Sequence, residues 1–242
     1  MKSNIQNQEM IEKLCEGNKL ILSPFINEKE EIYLASYDGS IYRYKDENLI
    51  PMFEVGGQPS GLFIHNSIAY VSDFAHQTIL ARSLMEKNAT ATQLVKEFEG
   101  EPLLGPNSLL LNKAGNLLYF TDSGPLGETS IENPKGSVFV LDLEDMLLRP
   151  LALNCMAHPS ALAMNPEETV LYVCETLRNR VLKCYIGENG GNQITVFHQF
   201  SGKLGPTAIA VNKDGYIFVA KYEYIGKLSR SVQGRRDSRV QP

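Results

Sequence analysis

The sequence of 242 residues predicts an all-β fold, a β-propeller of four-stranded blades with about five blades present. Two observations predict this fold. A short Pro-x-x-aliphatic phrase recurs about every 47 to 53 residues, which is unusual outside repeat proteins. Each copy is followed by short runs of aromatic and β-branched residues, which are typical of antiparallel strands. A period of this length suits one blade.

The repeated phrase marks the first strand of each blade. Its clear copies begin at Pro59, Pro106, Pro159 and Pro206, and a more degenerate copy begins at Ser23-Pro24. Gly115 and Gly215 supply the positive φ that a tight hairpin turn often needs. Second strands are predicted at 69–71, 118–120, 171–173 and 217–219, third strands at 78–82, 136–141, 180–185 and 226–229, and fourth strands at 93–98, 150–154 and 194–200.

The pattern divides the chain into three parts. Residues 1–19 are expected to be an N-terminal extension with a short helix, residues 20–228 to be the blades, and residues 229–242 to be a basic, disordered tail. Because the last copy lacks a fourth strand, we expect the propeller to be incomplete at its C-terminal end. An open β edge of this kind can pair with another chain, so a monomer is expected unless that edge pairs.

The composition and charge of the chain argue against nucleic-acid binding and against a membrane-spanning helix. A formal net charge of −5 and a pI near 5.5 argue against nucleic-acid binding, which depends on clustered Lys and Arg. No apolar run reaches the roughly 18 residues of a membrane helix, and the first residues lack the apolar core of a signal peptide. We therefore expect a cytoplasmic protein that binds a small molecule or a protein partner.

The cysteines predict free thiols rather than a disulfide or a zinc site. None of the four lies in a CxxC pair. In the hairpin that holds Cys174 and Cys184, the predicted register sets Cys174 opposite about Val181 and Cys184 opposite about Leu171, which is too far apart for a disulfide.

Two stretches carry a family resemblance. Gly105-Pro-Asn107, with the run Tyr-Phe-Thr-Asp-Ser ending at Ser123, and Leu-Tyr-Val-Cys-Glu-Thr at 171–176 followed by Arg178, are similar to phrases of the regucalcin, gluconolactonase and strictosidine-synthase-like superfamily. The resemblance implies a six-bladed propeller with a divalent cation, often calcium, at the centre of one face. It also implies hydrolysis of lactones or phosphate triesters, in which the metal polarises the reacting oxygen and an acidic residue serves as base.

Only some of the positions that would hold the implied cation carry a residue that can bind a metal. Asn107 matches the amide of the family, and Glu16 is a less well-spaced substitute for the acid of the first blade, where Leu22 stands. Hydroxyl residues occupy the later positions, which makes a cation weakly held because calcium prefers carboxylates and carbonyls. The predicted metal ligands are Asn107 and Glu16, and the predicted ligand-lining residues are Asn107, His158, Ser160 and Thr207.

Two functions remain open. The first is a hydrolase of lactones or esters, and the second is a non-catalytic propeller that presents its loops to a protein partner. Asp73, Asp122 and Glu175, which follow the second strands, are expected to bond neighbouring backbone donors rather than to react. All four histidines are interpreted as loop or core residues first, and His158 is kept as a ligand-lining candidate because it directly precedes one of the repeat prolines.

Overall fold

The computed structural model describes residues 20–86, 88–187, 193–202 and 205–221, and the backbone of 238–240. Within these ranges every regular element is a β-strand. The described part therefore contains no helix that is long and apolar enough to cross a membrane.

In the described part of the chain, five antiparallel sheets of three or four strands follow one another. The first sheet contains β1 (Ile21–Ile26), β2 (Ile32–Ser36), β3 (Ser40–Lys45) and β4 (Asn48–Glu54). The second contains β5 (Pro59–His65), β6 (Ile68–Asp73), β7 (Thr78–Ser83) and β8 (Thr92–Val95), and a small hairpin of β9 (Glu97–Phe98) and β10 (Glu101–Pro102) comes after it.

The third and fourth sheets repeat the same up-and-down order. The third contains β11 (Pro106–Leu111), β12 (Leu117–Asp122), β13 (Gly136–Asp142) and β14 (Leu147–Met156). The fourth contains β15 (Pro159–Met164), β16 (Val170–Glu175), β17 (Arg180–Tyr185) and β18 (Gln193–Gln199), and the fifth contains β19 (Pro206–Val211), β20 (Ile217–Lys221) and β21 (Ser238–Val240). The sheets are the blades of a β-propeller, as the repeat predicted.

Hairpin turns between the first and second strands of the blades have the predicted chemistry. Gly115 has a φ of +77° and Gly215 a φ of +81°, so both occupy the left-handed region that side chains disfavour. The side chains of Asn112 and Asn212 accept hydrogen bonds from the backbone N–H groups of these turns, which closes them.

The core lies between consecutive blades rather than inside one of them. Phe120 and Phe139 of the third blade stack with centroids 5.4 Å apart and pack with Ile79 of the second blade. Val173 of the fourth blade packs in the same way with Val138 of the third. Because the second, third and fourth sheets have a neighbouring sheet on each face, their second strands are apolar on both sides, and Leu118 and Leu171 are fully buried.

Several predicted boundaries change. The fourth strand expected at 93–98 ends at Val95, because the chain reverses at Glu99 and Gly100, which both have positive φ, to form the β9–β10 hairpin. The third strand expected at 226–229 lies outside the described residues, and β21 is the third strand of the fifth sheet. β21 falls inside the range 229–242 that was expected to be a tail.

The prediction for the cysteines of the fourth blade is confirmed. Cys174 pairs with Val181 and Cys184 pairs with Leu171 across the β16–β17 ladder, so the two thiols stay free. Burial raises the pKa of the Cys184 thiol to about 12 and raises that of Cys174 further. Both side chains therefore behave as small apolar core residues.

Candidate functional site

The first strands of all five blades surround one central channel of about 1270 Å³. Each of these strands begins at the same end of the propeller, which we call the entrance face, and the proline phrase marks that beginning. The charged residues of the channel wall, Lys113, Glu168 and Lys213, belong to turns at the opposite end. Toward the entrance face, the described wall carries only uncharged side chains.

Three of the predicted site residues meet in this wall. Asn107 of β11, Ser160 of β15 and Thr207 of β19 line the channel one residue after the blade prolines. His158 does not line the channel. It directly precedes Pro159, in the connection that leads into β15. Glu16 lies outside the described residues.

Most hydroxyl groups at the entrance bond the neighbouring blade. Ser60 Oγ donates to Pro106 O at 2.7 Å, and Ser160 Oγ donates weakly to Pro206 O at 3.4 Å. Thr176 reinforces the second contact, because its Oγ1 lies 2.8 Å from Pro206 O and 2.7 Å from Ser160 Oγ. A hydroxyl proton that bonds a carbonyl of the next blade fixes the two blades relative to each other. These hydroxyls are accordingly structural links as well as wall residues.

Asn107 has capacity left for a ligand. Its Nδ2 donates one hydrogen bond to Ser123 Oγ at 3.3 Å, whereas a side-chain amide has two N–H donors and an acceptor oxygen. Its backbone is closely packed, because a Cβ on Gly61 would lie 2.4 Å from Asn107 O. The second blade therefore holds the Asn107 backbone in place.

The three acids that end the second strands bind the connections that enter the first strands of their own blades. Asp73 accepts from Gln58 N at 3.0 Å and Asp122 accepts from Gly105 N at 2.7 Å, while Glu175 accepts from Ala157 N at 2.7 Å. All three are buried. The prediction that these acids satisfy backbone donors is confirmed.

Burial and bonding act in opposite directions on Asp122. Desolvation raises the pKa of this carboxyl group, and the hydrogen bonds from Leu104 N and Gly105 N oppose that rise. Glu175 faces two cations instead, with Arg178 Nη1 at 2.9 Å and Arg180 Nε at 2.6 Å. Glu175 therefore ties the fourth blade to the connection that carries His158.

His158 has a strained backbone and a buried polar atom. Its φ is +59°, and the corresponding position before the blade proline is Gly105 in the third blade and Gly205 in the fifth. Its Nδ1 is buried without a hydrogen-bond partner in the described structure. Burial lowers the pKa of the imidazole, so the neutral ring is favoured.

His76, unlike His158, is held in place by a hydrogen bond to a buried carboxyl group. His76 Nδ1 lies 2.7 Å from Oδ2 of Asp73, whose side chain is fully buried, while 59% of the His76 side chain is exposed. Sequence reasoning missed this pair and treated His76 as a loop residue. The available signal was the spacing of three residues from an acid that ends a second strand.

A divalent cation of the kind that the family resemblance implies does not fit the described residues. They contain no group of three or more His, Cys, Asp or Glu side chains that could hold a metal ion. Leu22, at the expected acid position, is apolar, and the Ser160 hydroxyl bonds the next blade. Of the two predicted ligands, Asn107 alone is described, and one amide is a poor site for a hard cation.

Comparison with known proteins agrees with the fold. Lactonase drp35 of Staphylococcus epidermidis is 24% identical over 210 residues, and the match covers 82% of this chain but only 62% of that protein. A gluconolactonase structure from Xanthomonas campestris superposes with a TM-score of 0.71 at 18% identity, covering 86% of this chain and 71% of the other. The calcium-binding protein regucalcin from Agrobacterium tumefaciens gives a TM-score of 0.66 at 15% identity, covering 84% and 68%.

The family assignment rests on the sequence model rather than on these distant structures. The model described as the SMP-30/gluconolactonase/LRE-like region matches residues 26–241, which is most of the chain. The four blades that begin at Pro59, Pro106, Pro159 and Pro206 lie in that range, whereas β1 of the first blade lies almost wholly before it. The chain belongs to the SMP-30/gluconolactonase/LRE-like family.

Proposed function

We propose that this protein binds and hydrolyses a small, neutral lactone or ester in the central channel, at the entrance face. The observation that carries the proposal is the convergence of Asn107, Ser160 and Thr207, from three blades, on one channel. The name of the staphylococcal relative, a lactonase, and that of the Xanthomonas structure, a gluconolactonase, support the substrate class.

In this proposal Asn107 is the polar contact of the substrate. One N–H of its amide bonds Ser123, and the second can donate to the carbonyl oxygen of the substrate. Charge develops on that oxygen when water adds to the carbonyl carbon, so a donor held in place there lowers the barrier. The uncharged wall at this end favours a neutral substrate, because an ion would lose hydration without a partner.

The test is hydrolysis of glucono-1,5-lactone, δ-valerolactone and phenyl acetate by the purified chain, with and without a chelator. Asn107→Ala should lower kcat/KM by about tenfold, the effect of one lost hydrogen bond to the reacting group. Asn48→Ala is the matched control, because Asn48 lies on the outer strand β4. Hydrolysis at the same rate by both variants would contradict the role of Asn107.

Thermal unfolding with added calcium tests the cation separately. A ligand that binds only the folded state raises the unfolding free energy by RT ln(1 + [L]/Kd). Because the described residues do not fit a hard cation, we expect no shift of the Tm with calcium. A calcium-dependent shift that Asn107→Ala removes would instead indicate a cation site completed by other residues, such as Glu16.

A second candidate function is a propeller that binds a protein partner without catalysis. Its support is that the hydroxyls of Ser60 and Ser160 are engaged between blades, and that no carboxylate joins Asn107 in the described wall at the entrance. A cooperatively folded chain that hydrolyses none of the three compounds, and is stabilised by none of them, would favour this candidate.

A further inference from the structure

The proposed reaction needs a base, and the described channel wall has no acid or histidine at the entrance face. We propose that His76, oriented by the buried Asp73, is this general base. The inference rests on the proposed function and adds a catalytic residue to the same site.

The Asp73 carboxylate determines which ring nitrogen of His76 carries the proton. Its carboxylate accepts from Gln58 N at 3.0 Å, from His76 N at 3.2 Å and from His76 Nδ1 at 2.7 Å. With Nδ1 as the donor, the neutral ring carries its proton there and presents a lone pair on Nε2. A buried carboxylate that holds an imidazole in one tautomer and one orientation is the arrangement that general-base catalysis requires.

The connection into β5 packs closely on the Asp73 side chain. A Cβ on Gly57 would lie 2.0 Å from Asp73 Oδ2, so the connection into β5 packs directly on the carboxylate. The side chain of Asp73 is fully buried and that of His76 is 59% exposed. The pair therefore combines a rigid inner partner with a ring that can meet a substrate from solution.

The turn that carries His76 is attached to the connections that lead into two first strands, β5 and β11. Phe74 N donates to Gln58 O at 3.0 Å, which attaches the turn to the start of β5. Gln77 Nε2 donates to Leu104 O at 3.2 Å, and the Phe74 ring packs on Gly105, which attaches the turn to the start of β11. Ser60 of β5 and Asn107 of β11 each follow these attachment points by two residues, so the turn borders the two strands that carry them, although His76 itself does not line the channel.

An equivalent pair in the fourth blade shows what a purely structural role looks like. Glu175 and Arg178 have the same spacing as Asp73 and His76, but the Arg178 side chain is 27% exposed. Its guanidinium also donates to Cys155 O and to Ile131 O, both at 3.2 Å. His76 differs, because Nε2 has no hydrogen-bond partner among the described residues.

In the proposed reaction His76 carries one proton from water to the leaving group. His76 Nε2 removes a proton from water while the water oxygen bonds the carbonyl carbon of the lactone. The bond between that carbon and the ring oxygen then breaks, and the departing alkoxide takes the proton from His76. One water molecule is consumed, the product is the hydroxy acid, and His76 returns to its neutral form.

Kinetics of His76→Ala, with His65→Ala as the matched control, test the inference. His65 ends β5 at the far end of the channel. With the lactone that the wild type hydrolyses, kcat of His76→Ala should fall by about 100-fold, the lower range for loss of a general base. KM should stay unchanged, and added imidazole should restore part of kcat, because the exposed position leaves room for the free base.

The outcomes separate this inference from the proposed function. If the wild type hydrolyses no lactone or ester, the proposed function fails and a base at His76 has no reaction to serve. Two results with an active wild type would refute only the role of His76. In the first, His76→Ala hydrolyses the lactone at the wild-type rate. In the second, His76→Ala loses activity that imidazole does not restore, and His65→Ala loses as much. Because the His76 side chain is largely exposed, we do not expect His76→Ala to lose activity by unfolding, and a thermal melt of this variant checks that.

Discussion

The contacts of Glu175 predict how much this entrance-face acid contributes to the free energy of unfolding. The side chain is fully buried, and it accepts from Ala157 N at 2.7 Å, Arg178 Nη1 at 2.9 Å and Arg180 Nε at 2.6 Å. Glu175→Ala leaves the Ala157 N–H without its acceptor, at a cost of about 1–3 kcal/mol. It also removes two charge-assisted bonds and opens a small cavity.

The expected total lies at the lower end of the cost of breaking a fully buried ion pair, which is about 3–5 kcal/mol. Arg178 and Arg180 keep 27% and 25% of their side chains exposed, so water can solvate them once the carboxylate is gone. We expect Glu175→Ala to lower the free energy of unfolding by about 3 kcal/mol, a decrease in Tm of about 6–12 °C for a chain of this size. Glu175→Gln keeps an acceptor for Ala157 N but loses the charge, so its loss should be about 2 kcal/mol.

Urea and thermal unfolding of both variants give these values. Glu167→Ala is the control, because Glu167 is exposed and bonds only the nearby Asn165 side chain, and it should change stability by less than about 0.5 kcal/mol. A loss of under about 1 kcal/mol for Glu175→Ala would refute the reasoning. It would mean that the arginines and Ala157 N find equally good partners in water.

Two further predictions concern the second blade and the connection before β15. Gly61→Ala should destabilise the fold by about 1–3 kcal/mol, since the new Cβ would lie 2.4 Å from Asn107 O and 2.5 Å from Ser72 Oγ; an unchanged urea midpoint would contradict this packing. For His158 the folded pKa lies below its ordinary value of 6.5, so its stability contribution is complete above that pH and is lost as the pH falls through the folded pKa. Relative to His158→Gln, the wild type should therefore lose Tm on acidification below about pH 6.5, and parallel pH profiles of the two proteins would be the contrary result.

The fold could be predicted from the sequence because blade signals are local and repeated. The proline phrase located the first strands, glycines located their turns, and the cysteine register in the fourth blade followed from the length of one hairpin. These features depend on residues a few positions apart. The hairpin after β8 departed from the prediction because positive φ at Glu99 is not evident from its residue type.

The sequence by itself determined the blade repeat, the acids that close the entrance connections and the row of residues that follows each proline. Only the tertiary structure decided what those residues do. Ser60 and Pro106 are far apart in the chain, and a hydroxyl becomes a link between blades only when packing brings that carbonyl to 2.7 Å. The Asp73–His76 pair likewise depends on burial of the acid and exposure of the ring, and both are set by tertiary packing rather than by the spacing of the two residues.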